Sequence, residues 1–299
     1  MTERREAKRS NRARPRRRPR PRPRQFVTAQ FEGEDDDEDE DEDDEGEDED
    51  EMNCETTVPT LTQAADWRVT HFCGEQQCAR SRRGDFNSAA FCALGETFLV
   101  DDGCGDLRAA DAKRRMLDGQ ETEAFETLLG DAASCAGPDR VRRALRRVVL
   151  VRAGPARYLA VLDVNEKDGR PFTADLFWRT DARNRISLGP GGRFVIHGAE
   201  NICAAEVLWP RAPAPQLALG ESRGRPQVRL SLTAPAVETL TVFSPRRAGE
   251  PAARFSCRRD GDAAFSVTCD LGGRASVLRL SAAAGGPPGA PGPVRLQTR

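Results

Sequence analysis

A succession of short apolar runs, separated by Gly, Pro, Asn or Asp, fills the sequence after residue 140. Runs of this length at this spacing are typical of antiparallel sandwiches and barrels. Arg147–Val151 and Arg157–Asp163 flank Gly154-Pro155, which favours a hairpin turn. The sequence therefore predicts an all-β fold, a large antiparallel β-sandwich, with one or two short helices between residues 108 and 143. Further strands are predicted at residues 172–178, 193–197, 202–209, 228–232, 240–243, 252–257, 264–269 and 275–280.

Charge divides the chain into three regions. Residues 1–24 carry twelve Lys/Arg and two Glu, and residues 32–51 carry eighteen Asp/Glu. Neither block has the apolar content to form a core, so residues 1–52 are expected to be a disordered tail, first basic and then acidic. The remaining residues, from 53 on, hold 34 basic and 28 acidic residues, so the overall charge of -2 conceals a basic domain. The Gly- and Pro-rich residues 282–299 are predicted to be a second disordered tail.

The basic block at residues 4–24 has two interpretations. Clustered cations release counterions from phosphate, so the block is a possible nuclear import signal or nucleic-acid arm. The alternative is a solvated tail that the following acidic run partly neutralises. No membrane-spanning run of about 18 apolar residues occurs, and no apolar export segment follows Arg24. We therefore expect no membrane association, and a cytoplasmic or nuclear location if the start site is correct.

The segment 84–105 reads as two apolar strands joined at Gly95-Glu96. Such a hairpin brings its two ends together, so Asp85 and Asp101 could approach each other. A generic hairpin without chemistry explains the strands equally well.

Cysteine spacing leaves three hypotheses open. The chain has nine cysteines, so one stays unpaired if the others form disulfides. Zinc sites usually have two closely spaced pairs, and only Cys73 and Cys78 are close here. Scattered buried thiols are favoured over disulfides and over zinc, and no metal or cofactor is predicted.

Several short motifs follow one another over residues 64–281. They are Asp85-Phe86-Asn87-Ser88, Gly95-Glu96, Val100-Asp101-Asp102-Gly103, Met116-Leu117-Asp118-Gly119-Gln120, Gly130-Asp131-Ala132-Ala133, the paired strands within 143–163, Leu176-Phe177-Trp178-Arg179-Thr180, Arg193-Phe194-Val195-Ile196 and Thr241-Val242-Phe243-Ser244-Pro245. In this order they resemble the C-terminal β-sandwich domain of the heparinase II/III family of polysaccharide lyases.

The resemblance implies β-elimination chemistry on acidic polysaccharides. In that family His and Tyr serve as acid and base, largely from an α/α toroid, and the sandwich adds a histidine and a metal site of two His and one Asp. Residues 1–63 are too short and too charged to form a toroid. Asp101 matches the metal carboxylate, but Ser81, Arg83 and Ala112 stand where the resemblance places histidines.

The resemblance therefore predicts a vestigial site face at Asp85, Asn87 and Asp101, without catalytic or metal-binding residues. Asp85 and Asn87 are equally suited to bonding the backbone at a strand entry. His71 and Tyr158 are predicted to be structural, since each alternates with apolar residues on a strand. A basic rim suited to sulfate, carboxylate or phosphate is predicted as well, with a solvated loop as the alternative. It consists of Arg80, Arg82 and Arg83.

Three functions remain open on the sequence. The first is a catalytically degenerate module that binds an anionic polysaccharide such as a glycosaminoglycan. The second is a lyase subunit or fragment that a separate toroid-bearing chain completes. The third is a nuclear or nucleic-acid-associated protein that acts through its charged tails.

Overall fold

The computed structural model describes residues 60–64, 67–72, 88–100, 115–131, 142–261, 264–283 and 293–298. Within these ranges the regular elements are β-strands, and neighbouring strands pair antiparallel. The predicted all-β class and antiparallel arrangement are confirmed.

An eight-stranded central sheet is the largest element. Its strand order is β10-β11-β12-β15-β8-β7-β6-β5. The strands are β5 (Arg115–Glu121), β6 (Phe125–Asp131), β7 (Arg143–Val151), β8 (Tyr158–Glu166), β10 (Arg185–Leu188), β11 (Arg193–His197), β12 (Asn201–Trp209) and β15 (Ala236–Arg247).

The middle strands of this sheet are buried on both faces. Val148 and Leu150 of β7 enter one hydrophobic core, whereas Val149 and Val151 enter a second core on the opposite face. Alternate residues of a strand point to opposite faces, so burial on both sides requires an unbroken apolar run. This requirement explains the Val148–Val151 run, which alternation alone would not produce.

Two smaller sheets cover the first face. Trp67 and Phe91 of the N-terminal sheet pack at a centroid distance of 5.8 Å, and Trp178 of the small sheet packs edge-on against Phe243 of β15 at 4.9 Å. The N-terminal sheet consists of β1 (Thr60–Ala64), β2 (Trp67–Phe72), β3 (Ser88–Ala93) and β4 (Glu96–Leu99), and the small sheet has the order β13 (Gln216–Ser222), β14 (Arg225–Ala234), β9 (Phe172–Arg179).

The C-terminal sheet covers the second face. Tyr158 packs edge-on against Phe255 at 5.1 Å, and Trp209 packs against Phe265 at 5.6 Å. The strands, in spatial order, are β16 (Arg254–Asp260), β17 (Ala264–Leu271), β18 (Arg274–Ser281) and β19 (Val294–Thr298).

The expected helices are not found at residues 115–131. This stretch forms the hairpin β5–β6, in which Thr122 and Phe125 exchange backbone and hydroxyl hydrogen bonds of 2.9–3.0 Å. Residues 125–130 are buried throughout, because β6 has a core on each side. Tertiary burial thus overrides the helix preference of the glutamates near the turn. The rest of the 108–143 stretch lies largely outside the described residues.

The C-terminal prediction also needs correction at one point. Val294–Thr298, inside the range predicted as a disordered tail, forms β19 and pairs with β18. Val294 is 1% exposed and belongs to the second core. Its burial was not apparent among the surrounding Gly and Pro. Residues 284–292 lie outside the described residues, as do residues 1–52.

Candidate functional site

The predicted site residues lie outside the described part of the chain, but the hairpin that carries them lies within it. Asp85, Asn87, Asp101, Arg80, Arg82 and Arg83 all fall in the gaps at 73–87 and 101–114. The hairpin β3–β4 is confirmed, and its turn is Leu94-Gly95, one residue earlier than predicted. Both turn residues have positive φ, +53° and +77°, as a tight two-residue hairpin requires.

Glu96 fastens the turn end of this hairpin to the central sheet. Its carboxylate accepts backbone N–H bonds from Ala199, Glu200 and Asn201 at 2.8–3.1 Å, and a fourth bond from the Asn201 side chain at 2.9 Å. A Cβ at Gly198 would overlap this carboxylate. The Gly95-Glu96 motif therefore has a structural use, which is to dock the hairpin on the β11–β12 turn.

The open end of the hairpin lies beside the end of β9. The backbone N–H of Val100 donates to the carbonyl of Arg179 at 3.0 Å, and Asn184 donates to the carbonyl of Thr97 at 2.8 Å. Asp101 follows Val100 directly in the sequence. At this end of the hairpin the described contacts are therefore with Arg179, at the end of β9, and with Asn184.

The outer face of the small sheet presents an aromatic ring between two guanidinium groups. Phe177 is 41% exposed, and the guanidinium of Arg179 lies 5.7 Å from its ring centroid. Arg229 is directly opposite Phe177 on β14, and Ala218 is the next residue across, on the edge strand β13. Gln227 accepts a 3.1 Å hydrogen bond from Arg179. We call these five residues the Phe177 platform.

The platform has the chemistry of a surface for acidic sugars. An aromatic face packs against the C–H groups of a sugar ring, and guanidinium forks bind carboxylate or sulfate with two parallel hydrogen bonds. Trp178 and Val228 occupy the inner face and are buried, so the sheet holds the outer side chains on a rigid support. Sequence alternation could have revealed Phe177, because a buried Trp178 forces its neighbour outward.

A cleft at the turn end of the hairpin is a second candidate binding surface. Its volume is about 310 Å³. Arg246 lines it and donates to the Glu250 carbonyl at 2.6 Å, while its Nε is buried without a partner. Trp67, Arg157 and the Glu250 carboxylate complete the wall. Each surface has an acid nearby, Glu250 here and Asp175 on the face of the platform. We prefer the platform because its aromatic ring is exposed, whereas Trp67 is buried.

Two buried ion pairs account for other residues of the motifs. Arg146 and Asp163 are directly opposite on β7 and β8 and form a 2.6 Å bond, with the Trp178 ring 4.8 Å from the Arg146 guanidinium. Arg147, on the other face, donates to Asp118 at 3.0 Å. Burial lowers the pKa of Arg147, and the hydrogen bond that Arg147 donates to Asp118 opposes this shift. These pairs join strands within the core rather than face a ligand.

The chain's one tyrosine and two histidines are side chains of the kind that acid–base chemistry uses. Tyr158, the chain's sole tyrosine, is fully buried, its hydroxyl has no hydrogen-bond partner, and burial raises the pKa of the phenol. His197 lies in β11 and contacts Ser187 at 2.9 Å. His71 lies in β2 opposite Ala89 of β3, and its side chain is outside the described part. The structural role predicted for Tyr158 agrees with its position.

Four of the nine cysteines lie among the described residues. Cys92, Cys203, Cys257 and Cys269 are free thiols there, and the other five cysteines lie in the gaps. Within those same ranges no three His, Cys, Asp or Glu side chains cluster as metal ligands would. Nor do these ranges contain a helix that could cross a bilayer.

Solved structures provide the comparison that decides the fold. A heparan sulfate lyase HepC mutant from Pedobacter heparinus superimposes with a TM-score of 0.56 at 13% identity, and heparinase III, the BT4657 gene product, with 0.54 at 13%. Each match covers 72% of this chain. The chain has a heparinase III-type fold. No family model and no curated protein matches the sequence.

The heparinase III-type fold occupies only part of those enzymes. This chain spans 39% of the length of each of the two structures. The resemblance inferred from the ordered motifs is confirmed as a resemblance of fold, and the partial coverage agrees with a single domain of a larger lyase architecture.

Proposed function

We propose that the chain is a catalytically degenerate relative of uronic-acid polysaccharide lyases that binds an anionic polysaccharide. The observation that carries the proposal is the Phe177 platform on a heparinase III-type fold. Phe177 and the arginines beside it combine an exposed aromatic face with positive charge, which suits the C–H groups and the carboxylate or sulfate groups of an acidic sugar. Asp175 is the acid on this face, and Ser231 already donates to it.

Loss of catalysis follows from the residues available. Elimination needs a base at the carbon beside the uronate carboxylate and an acid at the leaving oxygen. The chain has two histidines and one tyrosine, and that tyrosine is sealed in the second core. A phenol without contact to water or ligand transfers no proton to a substrate. The remaining imidazoles lie on separate strands, β2 and β11.

Binding to defined polymers tests the proposal. The full chain is titrated with heparan sulfate, chondroitin sulfate and alginate, with dextran as the uncharged control, while ultraviolet absorbance follows unsaturated uronate products. We expect binding to at least one acidic polymer and no steady product. Steady product formation by the purified chain would refute degeneracy, and equal binding of dextran would refute recognition of acidic sugars.

Variants locate the binding surface. Phe177→Ala removes an aromatic anchor, which costs on the order of 2 kcal/mol, about a thirtyfold loss of affinity. Arg229→Gln removes a charge-assisted hydrogen bond and should cost about tenfold. Leu188→Ala is the matched control, since Leu188 is also 41% exposed. If both platform variants bind the polymer with wild-type affinity, the platform is not the binding site.

A second candidate is a lyase subunit that a separate toroid-bearing chain completes. The 39% coverage of both lyase structures favours it. The test is to purify the full chain from its native source and ask whether lyase activity elutes with a second, helical chain. Lyase activity that requires both chains would support a two-chain enzyme, and an inactive reconstituted pair would contradict it.

The nucleic-acid hypothesis remains a prediction, because residues 4–24 lie outside the described part of the chain. If deleting residues 1–52 left nucleic-acid binding and cellular location unchanged, this hypothesis would lose its basis.

A further inference from the structure

The outer face of the C-terminal sheet carries two arginines directly opposite each other. Arg279 of β18 pairs in register with Arg295 of β19, and both side chains are exposed. Their neighbours along each strand point inward, since Leu278, Leu280 and Val294 are buried in the second core. The two guanidinium groups therefore project side by side from a rigid sheet, with Cβ atoms about 5 Å apart.

Other charges on this face are compensated. Arg254 is directly opposite Asp270. Arg258 donates to Asp260 at 2.8 Å, and the Ser266 hydroxyl donates to the other oxygen of the same carboxylate. The Ser266 bond, and after it the Arg258 bond, hold the pKa of Asp260 below its usual value. The Arg279 guanidinium also lowers the pKa of Asp260, more weakly than the Ser266 and Arg258 bonds do.

Like charges directly opposite in an antiparallel pair repel each other. Among the described residues neither Arg279 nor Arg295 forms a hydrogen bond or an ion pair with an acid, although the Asp260 carboxylate attracts Arg279 at longer range. Part of the repulsion therefore remains. An oxyanion between the two forks would relieve it and would receive donors from both sides.

We propose that Arg279 and Arg295 form a clamp for the sulfate or carboxylate group of an acidic glycan, a second binding site in addition to the Phe177 platform. The choice of a glycan rests on the proposed function. In register, Arg258 and Ser266 continue the line of Arg279 and Arg295 across four strands, but both are bonded to Asp260, so the clamp is limited to the Arg279–Arg295 pair.

The clamp and the platform are on opposite sides of the molecule. The small sheet packs on the first face of the central sheet and the C-terminal sheet on the second. A short oligosaccharide therefore occupies one site without touching the other, and variants at each site report separately.

The test measures binding of a short heparan sulfate oligosaccharide to the full chain and to an Arg279→Gln, Arg295→Gln double variant. We expect an affinity loss of at least tenfold at the clamp, since each arginine supplies a charge-assisted hydrogen bond. Arg254→Gln is the matched control on the same face. It lies two strands and four residues away, about 16 Å, beyond the screening length of about 8 Å at physiological salt. The tails are the same in every variant, so their contribution cancels.

A second measurement uses the free protein. At low salt Arg295→Gln is expected to raise the thermal midpoint, because one of two repelling charges is gone while most of the side-chain stem remains. The oligosaccharide should raise the midpoint of the wild type more than that of the variant.

The outcomes separate the clamp from the proposed function. The clamp is refuted, and the proposed function is not, if one oligosaccharide binds per chain and this binding is lost in the Phe177 variant but unchanged in the double clamp variant. Absence of binding to any acidic glycan overturns both. Binding of duplex DNA with higher affinity than the glycan, lost in the clamp variant, overturns the glycan as occupant.

Discussion

Removing the carboxylate of Asp118 tests how the core holds a buried cation. Arg147 is fully buried, and its other partners are the carbonyl of Ala283 at 2.7 Å and the hydroxyl of Thr127 at 3.4 Å. Breaking a buried pair by deleting one partner costs about 3–5 kcal/mol. Asp118 itself is 17% exposed, so water can enter the vacated space. We therefore expect Asp118→Ala to cost about 3 kcal/mol, at the lower end of that range.

A double variant that removes both charges distinguishes the lost ion-pair attraction from the cost of leaving the Arg147 charge buried without its partner. Arg147 is directly opposite Leu129 and Leu162, so its surroundings are apolar. Replacing a buried ion pair by apolar side chains of similar volume is often neutral or stabilising. The double variant Asp118→Ala, Arg147→Met should therefore be within about 1 kcal/mol of the wild type and more stable than Asp118→Ala.

Equilibrium urea unfolding followed by far-ultraviolet circular dichroism measures both values. Glu206→Gln provides the control, because it breaks an ion pair in which Arg193 is 60% exposed, and such pairs contribute less than about 1 kcal/mol. The reasoning is refuted if Asp118→Ala is no more destabilising than this control, or if adding Arg147→Met to it restores nothing.

Three further outcomes are expected. Glu96→Ala should lower the free energy of unfolding, measured in urea, by about 2 kcal/mol, because it removes charged hydrogen bonds. Gly198→Ala should destabilise the wild type but be tolerated in the Glu96→Ala background, where no carboxylate remains for the new Cβ to overlap. Tyr158→Phe should leave stability unchanged or raise it by about 1 kcal/mol, since the lost hydroxyl had no partner; a drop larger than that would contradict the buried position. Burial raises the pKa of Cys257 and Cys269 to about 11, so thiolate-directed labelling of these two cysteines, followed by peptide mass mapping, should be slow at neutral pH and accelerate about tenfold per pH unit; rapid modification of either one at pH 7 would contradict this expectation.

Strand positions were predictable where the sequence has apolar runs bounded by turn residues. Arg193–His197 was predicted with its observed ends, and β7 and β8 extend the predicted runs by a few residues. Gly154 has a φ of +112°, which the glycine in the predicted hairpin turn supplies. The signal works here because local turn chemistry and core burial favour the same conformation.

The sequence-based prediction of strands was wrong where a segment becomes a strand only by pairing with a partner that is distant in sequence. The β5–β6 hairpin contains helix-favouring glutamates, and only its place beside β7 makes it a strand. Val294 is 14 residues beyond its partner Leu280, with Gly and Pro between them. The arginine clamp depends on the same register, which composition does not encode. Phe177 is the exception, since alternation with Trp178 was readable from the sequence.

Three of the motifs that suggested a lyase relative contain a charged residue with a structural partner. Glu96 docks a hairpin, Asp118 neutralises a buried arginine, and Asp163 binds Arg146 across two strands. Each is a charged residue whose partner lies in another strand, so each constrains the fold more tightly than a generic apolar position does. Such residues would keep a sequence recognisable even after loss of the acid, the base and the metal ligands. The motifs therefore agree with a shared fold, and the experiments on Phe177 and on the arginine clamp test the proposed function on the exposed cationic surfaces.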